Sequence, residues 1–190
     1  MSNESVNELG RALDQAQHVL TGVTSAQWNS STPCAKWSVR ELSNHMVGGM
    51  MMFGVITRGQ SLPETSDVPE LGIDDIASSF DAARQSMLAA WQEPGVFERQ
   101  IAFPFATLPA DAGVKVQLME VVGHTWDLAH ATGQLDRLDD ALAESVMGFA
   151  GFFISDSVRN ASGDPFGLAV DAPDSVAPYA RLAGFLGRHQ

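Results

Sequence analysis

The sequence predicts an all-α protein built as an up-and-down bundle of long helices. Three observations carry this. Apolar residues recur with helical period in several segments of 18 or more residues. Those segments are bounded by helix start and stop chemistry, such as the Ser38–Glu41 box and Gly133. Polar loops join them, and the stretches that read as extended are short.

The elements follow in order. Val6, Leu9, Leu13, Ala16, Val19 and Leu20 share one face of a first helix over Val6–Val23. Thr24 to Trp37 contains Ser30, Ser31, Thr32, Pro33 and Cys34 and reads as a loop anchored by Trp28 and Trp37. Ser38 and Glu41 form a capping box, each side chain reaching the other's backbone amide, so a second helix starts at Val39 and runs to about Thr57. Gly48, Gly49 and Gly54 inside it point to close helix approach or to a weak helix end.

Gly59 to Gly72 is a polar, proline-bearing connection. Ile76, Phe80, Ala83, Met87, Ala90 and Trp91 define a third helix over Ile73–Trp91, closed by Pro94-Gly95. Val96 to Ala106 alternates irregularly and is expected to form a short hairpin or extended excursion. A fourth helix is expected from Asp111 to Thr132, stopped by Gly133, and a fifth from Asp139 to Arg159. A small C-terminal extension follows: a turn at Gly163-Asp164-Pro165-Phe166-Gly167, an extended piece Leu168–Val170, and a short helix Ser175–Leu186. The length of 190 residues suits one domain, residues 1–190.

Composition narrows the function. Hydrophobic residues make up 45% and charged residues 18%, which is globular rather than disordered. The net charge of −12, with 23 acidic against 11 basic residues and no basic cluster, argues against nucleic acid and against an anionic membrane surface. The single cysteine, Cys34, permits no internal disulfide and fits a reducing cytoplasm. The N-terminus lacks a basic segment followed by an apolar run, so no secretory signal is expected. The longest apolar run, Met46 to Ile56, is too short to span a bilayer.

One constellation can carry chemistry. Glu120 and His124 lie four apart on the fourth helix, on one face and about 5–6 Å apart at Cβ. His45 on the second helix could supply a third ligand, giving a His₂Glu set with a fourth position open to water or substrate. The same spacing also suits a metal-free Glu–His hydrogen bond, and spacing alone does not choose. The apolar residues around Glu120 predict a buried carboxylate, which needs a partner or a metal. Asp127, one turn on, could accept the His124 ring N–H or stand as a surface carboxylate. His130 falls off that face, and His18 and His189 read as surface residues. Cys34 has Lys36 as its only sequence-near cation and reads as an inert loop thiol. Trp37, Met50, Met51, Met52 and Phe53 could line a pocket or simply fill the core.

Two stretches carry a family resemblance. Thr32 to Gly49 resembles the segment TPC-x-x-W-x-V-R-x-L-x-x-H-x-V-G-G of the mycothiol-dependent maleylpyruvate isomerase N-terminal, metal-binding domain family, of the DinB-like superfamily. Glu120 to Gly133 resembles that family's E-x-x-x-H-x-W-D-L-A-x-A-T-G helix, and Gly184-Phe185-Leu186-Gly187-Arg188 resembles the close of its short members. The resemblance implies a four-helix bundle with a divalent metal, zinc being the expected ion, held by His45, Glu120 and His124. It implies a low-molecular-weight thiol, mycothiol in type, as cosubstrate for a transferase or isomerase acting on a small electrophile. The isomerases carry a second, C-terminal domain that this sequence, ending at Gln190, is expected to lack. The competing expectation is a non-catalytic metal-binding module with a stress, regulatory or dimerisation role, and the sequence leaves a homodimer open.

Overall fold

The computed structural model describes residues 2–62, 70–159, 166–170, 173 and 175–188. Six α-helices and one two-stranded sheet are formed among them: α1 Ser2–Thr21, α2 Val39–Thr57, α3 Ile73–Trp91, β1 Gln100–Ala102, β2 Thr107–Pro109, α4 Ala110–Thr132, α5 Asp140–Phe153 and α6 Pro178–Phe185. Helices α1 to α4 close a ring in the order α2, α3, α1, α4 and back to α2, which is the expected bundle. No helix among the described residues is long and apolar enough to cross a membrane.

Local chemistry places α2 as predicted. The Ser38 hydroxyl accepts from the Glu41 amide, and the Glu41 carboxylate accepts from the Ser38 amide at 2.8 Å. Leu42, Met46, Val47, Met50 and Phe53 then face the core. The α3 bounds also match, with Phe80 and Met87 fully buried. The hairpin pairs Ile101 with Leu108 antiparallel, and Pro104 sits in its turn, where no ladder N–H is required. It leads directly into α4, which begins one residue before the expected start and ends at Gly133 in the left-handed region (φ 72°).

Helix α4 is buried almost all round, because α1 and α2 flank it inside the bundle and α5 and α6 cover its outer side. Its Gln117 is fully buried and satisfied at both ends: it accepts from Trp91 Nε1 at 2.8 Å and donates to Thr57 Oγ1 at 2.9 Å.

Three bounds differ from expectation. The first helix spans Ser2–Thr21 rather than Val6–Val23, because the chain turns at Gly22, whose amide reaches back to Val19. The fifth helix ends at Phe153, six residues before Arg159. Ile154 turns extended to bury its side chain, and Arg159 instead donates to the Phe185 and Gly167 carbonyls and lies over the Phe185 ring. The last helix starts at Pro178, a residue suited to a first helical position, rather than at Ser175. Leu168–Val170, expected to be extended, joins no strand, and the Val170 amide bonds Gly184 O. The Gly163-Asp164-Pro165 turn, the middle of the Gly59–Gly72 connection and His189 lie outside the described residues.

Candidate metal centre

The site lies where α2 and α4 face each other. His45 projects from α2, and Glu120 and His124 project from one face of α4. One oxygen of Glu120 gathers both rings: Oε1 is 3.1 Å from His45 Nε2 and 3.2 Å from His124 Nε2. The three donor atoms lie within 4.8 Å of one another. Ligands of a tetrahedral zinc, bonded at about 2.0–2.1 Å, stand roughly 3.3 Å apart, so the spacing fits an ion drawn in between them. Beside them is a hollow of about 10 Å³, room for a single water or ion, bordered on the protein side by Met46, Met50, Phe53 and Phe80. Gly49 lines it one turn beyond His45, and a Cβ there would meet nothing within 4 Å.

Trp37 and the second helix orient His45. The indole stacks on the His45 ring at 4.1 Å between centroids and stands 5.6 Å from the His124 ring. Glu120 was expected to be buried, but its side chain is 38% exposed, and that of His45 is 35% exposed. Glu120 points to the solvent-open mouth of the cleft rather than into the core. His124 is buried.

The far side of His124 is a closed network. His124 Nδ1 lies 3.1 Å from Asp127 Oδ2. The Asp127 carboxylate also accepts from Arg188 Nε (3.1 Å) and Nη2 (3.0 Å), and from the Cys34 thiol (3.0 Å). Cys34 Sγ stands 3.8 Å from His124 Nδ1. The reading of Asp127 as a partner of His124 therefore fits, and the surface reading does not, since its side chain is 0% exposed.

These contacts set the charges. The cleft walls partly desolvate the Glu120 carboxylate, which works against its charge, but the His124 charge and the bonds from both histidines outweigh this and hold the group far below the usual carboxylate range. Burial likewise opposes a charged His124, yet Glu120, Asp127 and Cys34 together keep its pKa well above that of an ordinary imidazole. Asp127 is lowered against its own burial by His124 and Arg188. Burial pushes the Cys34 thiol up, so it stays a hydrogen-bond donor to Asp127.

Two donor groups among the described residues could hold a metal, and they share His124: His45, Glu120 and His124, or Cys34, His124 and Asp127. The second would set an ion against the Arg188 guanidinium that already occupies Asp127, whereas the first faces an open cleft. The first donor set is therefore the better fit.

Sequence reasoning reached these three residues and Asp127 but missed two others. Cys34, read as an inert loop thiol whose only nearby cation was Lys36, sits against His124 and Asp127 with Arg188 behind it. Arg188 entered only through the Gly184–Arg188 ending, with no role at the site. A signal existed: an arginine closing the apolar run Leu182–Gly187, and an aspartate between Trp126 and Leu128, each need a buried counter-charge. His130 stands off the site against Trp126, and His18 is exposed. Of the suggested pocket residues, Met50 and Phe53 border the hollow, while Met51 is 54% exposed.

The profile described as the mycothiol maleylpyruvate isomerase N-terminal domain matches residues 9–129 of the chain. Two Mycobacterium tuberculosis proteins, Uncharacterized protein MT0763 (strain CDC 1551 / Oshkosh) and Uncharacterized protein Rv0738 (strain ATCC 25618 / H37Rv), are each 30% identical over 178 residues, covering 94% of both chains. No solved structure matches significantly.

Proposed function

The chain belongs to the mycothiol maleylpyruvate isomerase N-terminal domain family, and from that premise we propose that it binds zinc through His45, Glu120 and His124 and uses a mycothiol-type thiol to act on a small electrophile, as a transferase or isomerase. The observation that carries this is the convergence of the three donor atoms on a solvent-open cleft, with both imidazole nitrogens within 3.2 Å of one Glu120 oxygen. Three protein ligands leave one tetrahedral position for an exogenous ligand, as in catalytic rather than structural zinc sites. A zinc ion bound there would supply the Lewis acidity that keeps a thiol as its thiolate nucleophile at neutral pH.

The protein's own residues do the rest. Glu120 brings negative charge that offsets a divalent cation. Asp127 takes the His124 Nδ1 proton side, leaving Nε2 to face the cleft. Trp37 covers His45 and limits its rotation. The apolar hollow beside Gly49 admits only a small group. We place the protein in the cytoplasm, where low-molecular-weight thiols are kept reduced.

Elemental analysis of the purified protein tests the reading, alongside His45→Ala and His124→Ala. About one equivalent of zinc is expected in the wild type, lost in both variants. Consumption of an electrophile in the presence of mycothiol is then measured on the zinc-loaded protein. A wild type that takes up no zinc even when the ion is added overturns the proposal.

A further inference from the structure

We propose that Arg188 is a positioning residue for His124, acting through Asp127 from the C-terminal segment. The inference rests on the reading of His45, Glu120 and His124 as a metal site. Asp127 is fully buried, and its two oxygens take four donors: Arg188 Nε on Oδ1, and Arg188 Nη2, His124 Nδ1 and Cys34 Sγ on Oδ2. Each carboxylate oxygen offers about two lone-pair sites, so the three donors on Oδ2 fully occupy the oxygen that faces His124. The guanidinium fork engages both oxygens at 3.1 and 3.0 Å, which fixes the plane of the carboxylate as a single contact would not. That plane aims Oδ2 at His124 Nδ1, and the ring so held directs Nε2 toward Glu120.

Arg188 is itself delivered by built structure. Gly187 turns the chain in the left-handed region (φ 77°), packed directly on the Gly167 backbone. The Arg188 amide bonds Ala183 O at 2.8 Å, its side chain is 9% exposed, and Leu186 packs where a Cβ on Gly123, next to His124, would stand. The arrangement thus links a ligand on α4 to a residue 61 positions beyond Asp127.

The test measures zinc affinity of the full chain by competition with a chromophoric chelator, in wild type, Arg188→Gln, Arg188→Lys, Asp127→Asn and His45→Ala. Arg188→Gln is expected to weaken zinc about 10–100-fold while keeping one equivalent at saturation. Arg188→Lys recovers part of the loss, because a lysine supplies charge without the fork. In the zinc-loaded protein the His124 Nδ1–H nitrogen–proton NMR signal is expected to be protected from solvent exchange, and to lose that protection in Arg188→Gln. Wild-type affinity and a protected signal in Arg188→Gln, even with a lowered melting temperature, overturn the proposal and leave the metal reading standing. Absence of zinc binding in the wild type, or full binding in His45→Ala, overturns the metal reading and the proposal with it. Should Arg188→Gln fail to fold, Arg188→Lys and Asp127→Asn decide by the same two readouts.

Discussion

Raising the pH from 7 to 8 is expected to tighten zinc binding, by up to about tenfold, through His124. In the metal-free protein both ring nitrogens face carboxylates, Nδ1 at 3.1 Å from Asp127 and Nε2 at 3.2 Å from Glu120. Both carboxylates are held ionised, and the ring's pKa lies well above the ordinary imidazole value of 6.5. A raised folded-state pKa stabilises the metal-free protein fully below the unfolded value and loses that contribution as pH rises through the folded one. Zinc requires the Nε2 lone pair, so at neutral pH it must displace the His124 proton. Each pH unit below the raised value then costs about tenfold in affinity, or about 1.4 kcal/mol. Chelator competition between pH 6.5 and 8.5 reads the slope, corrected for the chelator's own protons. Calorimetry in two buffers of different ionisation enthalpy counts the protons released. An affinity flat between pH 7 and 8, with no proton released, would mean that His124 is neutral in the free protein and would refute the reasoning.

Three further outcomes are expected. Gln117→Leu strands the Trp91 indole N–H and removes the partner of Thr57 in the core; the loss should be about 1–3 kcal/mol, read from the urea midpoint. Gly187→Ala forces a side chain into a positive-φ position against the Gly167 backbone, so stability should fall by about 1–3 kcal/mol on thermal melting, with zinc affinity falling as Arg188 is displaced. Trp37→Phe should keep zinc affinity within a few-fold because a ring still covers His45, whereas Trp37→Ala should weaken it, both read by chelator competition.

What the sequence determined by itself is what short-range chemistry encodes. The Ser38–Glu41 box set the start of α2 because its hydrogen bonds span three residues. Gly133 ended α4 because the left-handed position is open to glycine. The spacing of Glu120 and His124 put both on one face of one helix. His45 entered as a ligand candidate from its own helix, and the family resemblance tied it to that pair. Tertiary structure decided the rest. The end of α5 followed from Arg159 finding carbonyls on the C-terminal segment, which no helical period records. Glu120 is half-exposed because α4 turns it to the cleft, although its sequence neighbours are apolar. Cys34 and Arg188 meet at Asp127 across 93 and 61 residues of chain. Local pattern can show that a buried charge needs a partner, but which partner it finds depends on which segments the packed bundle brings together.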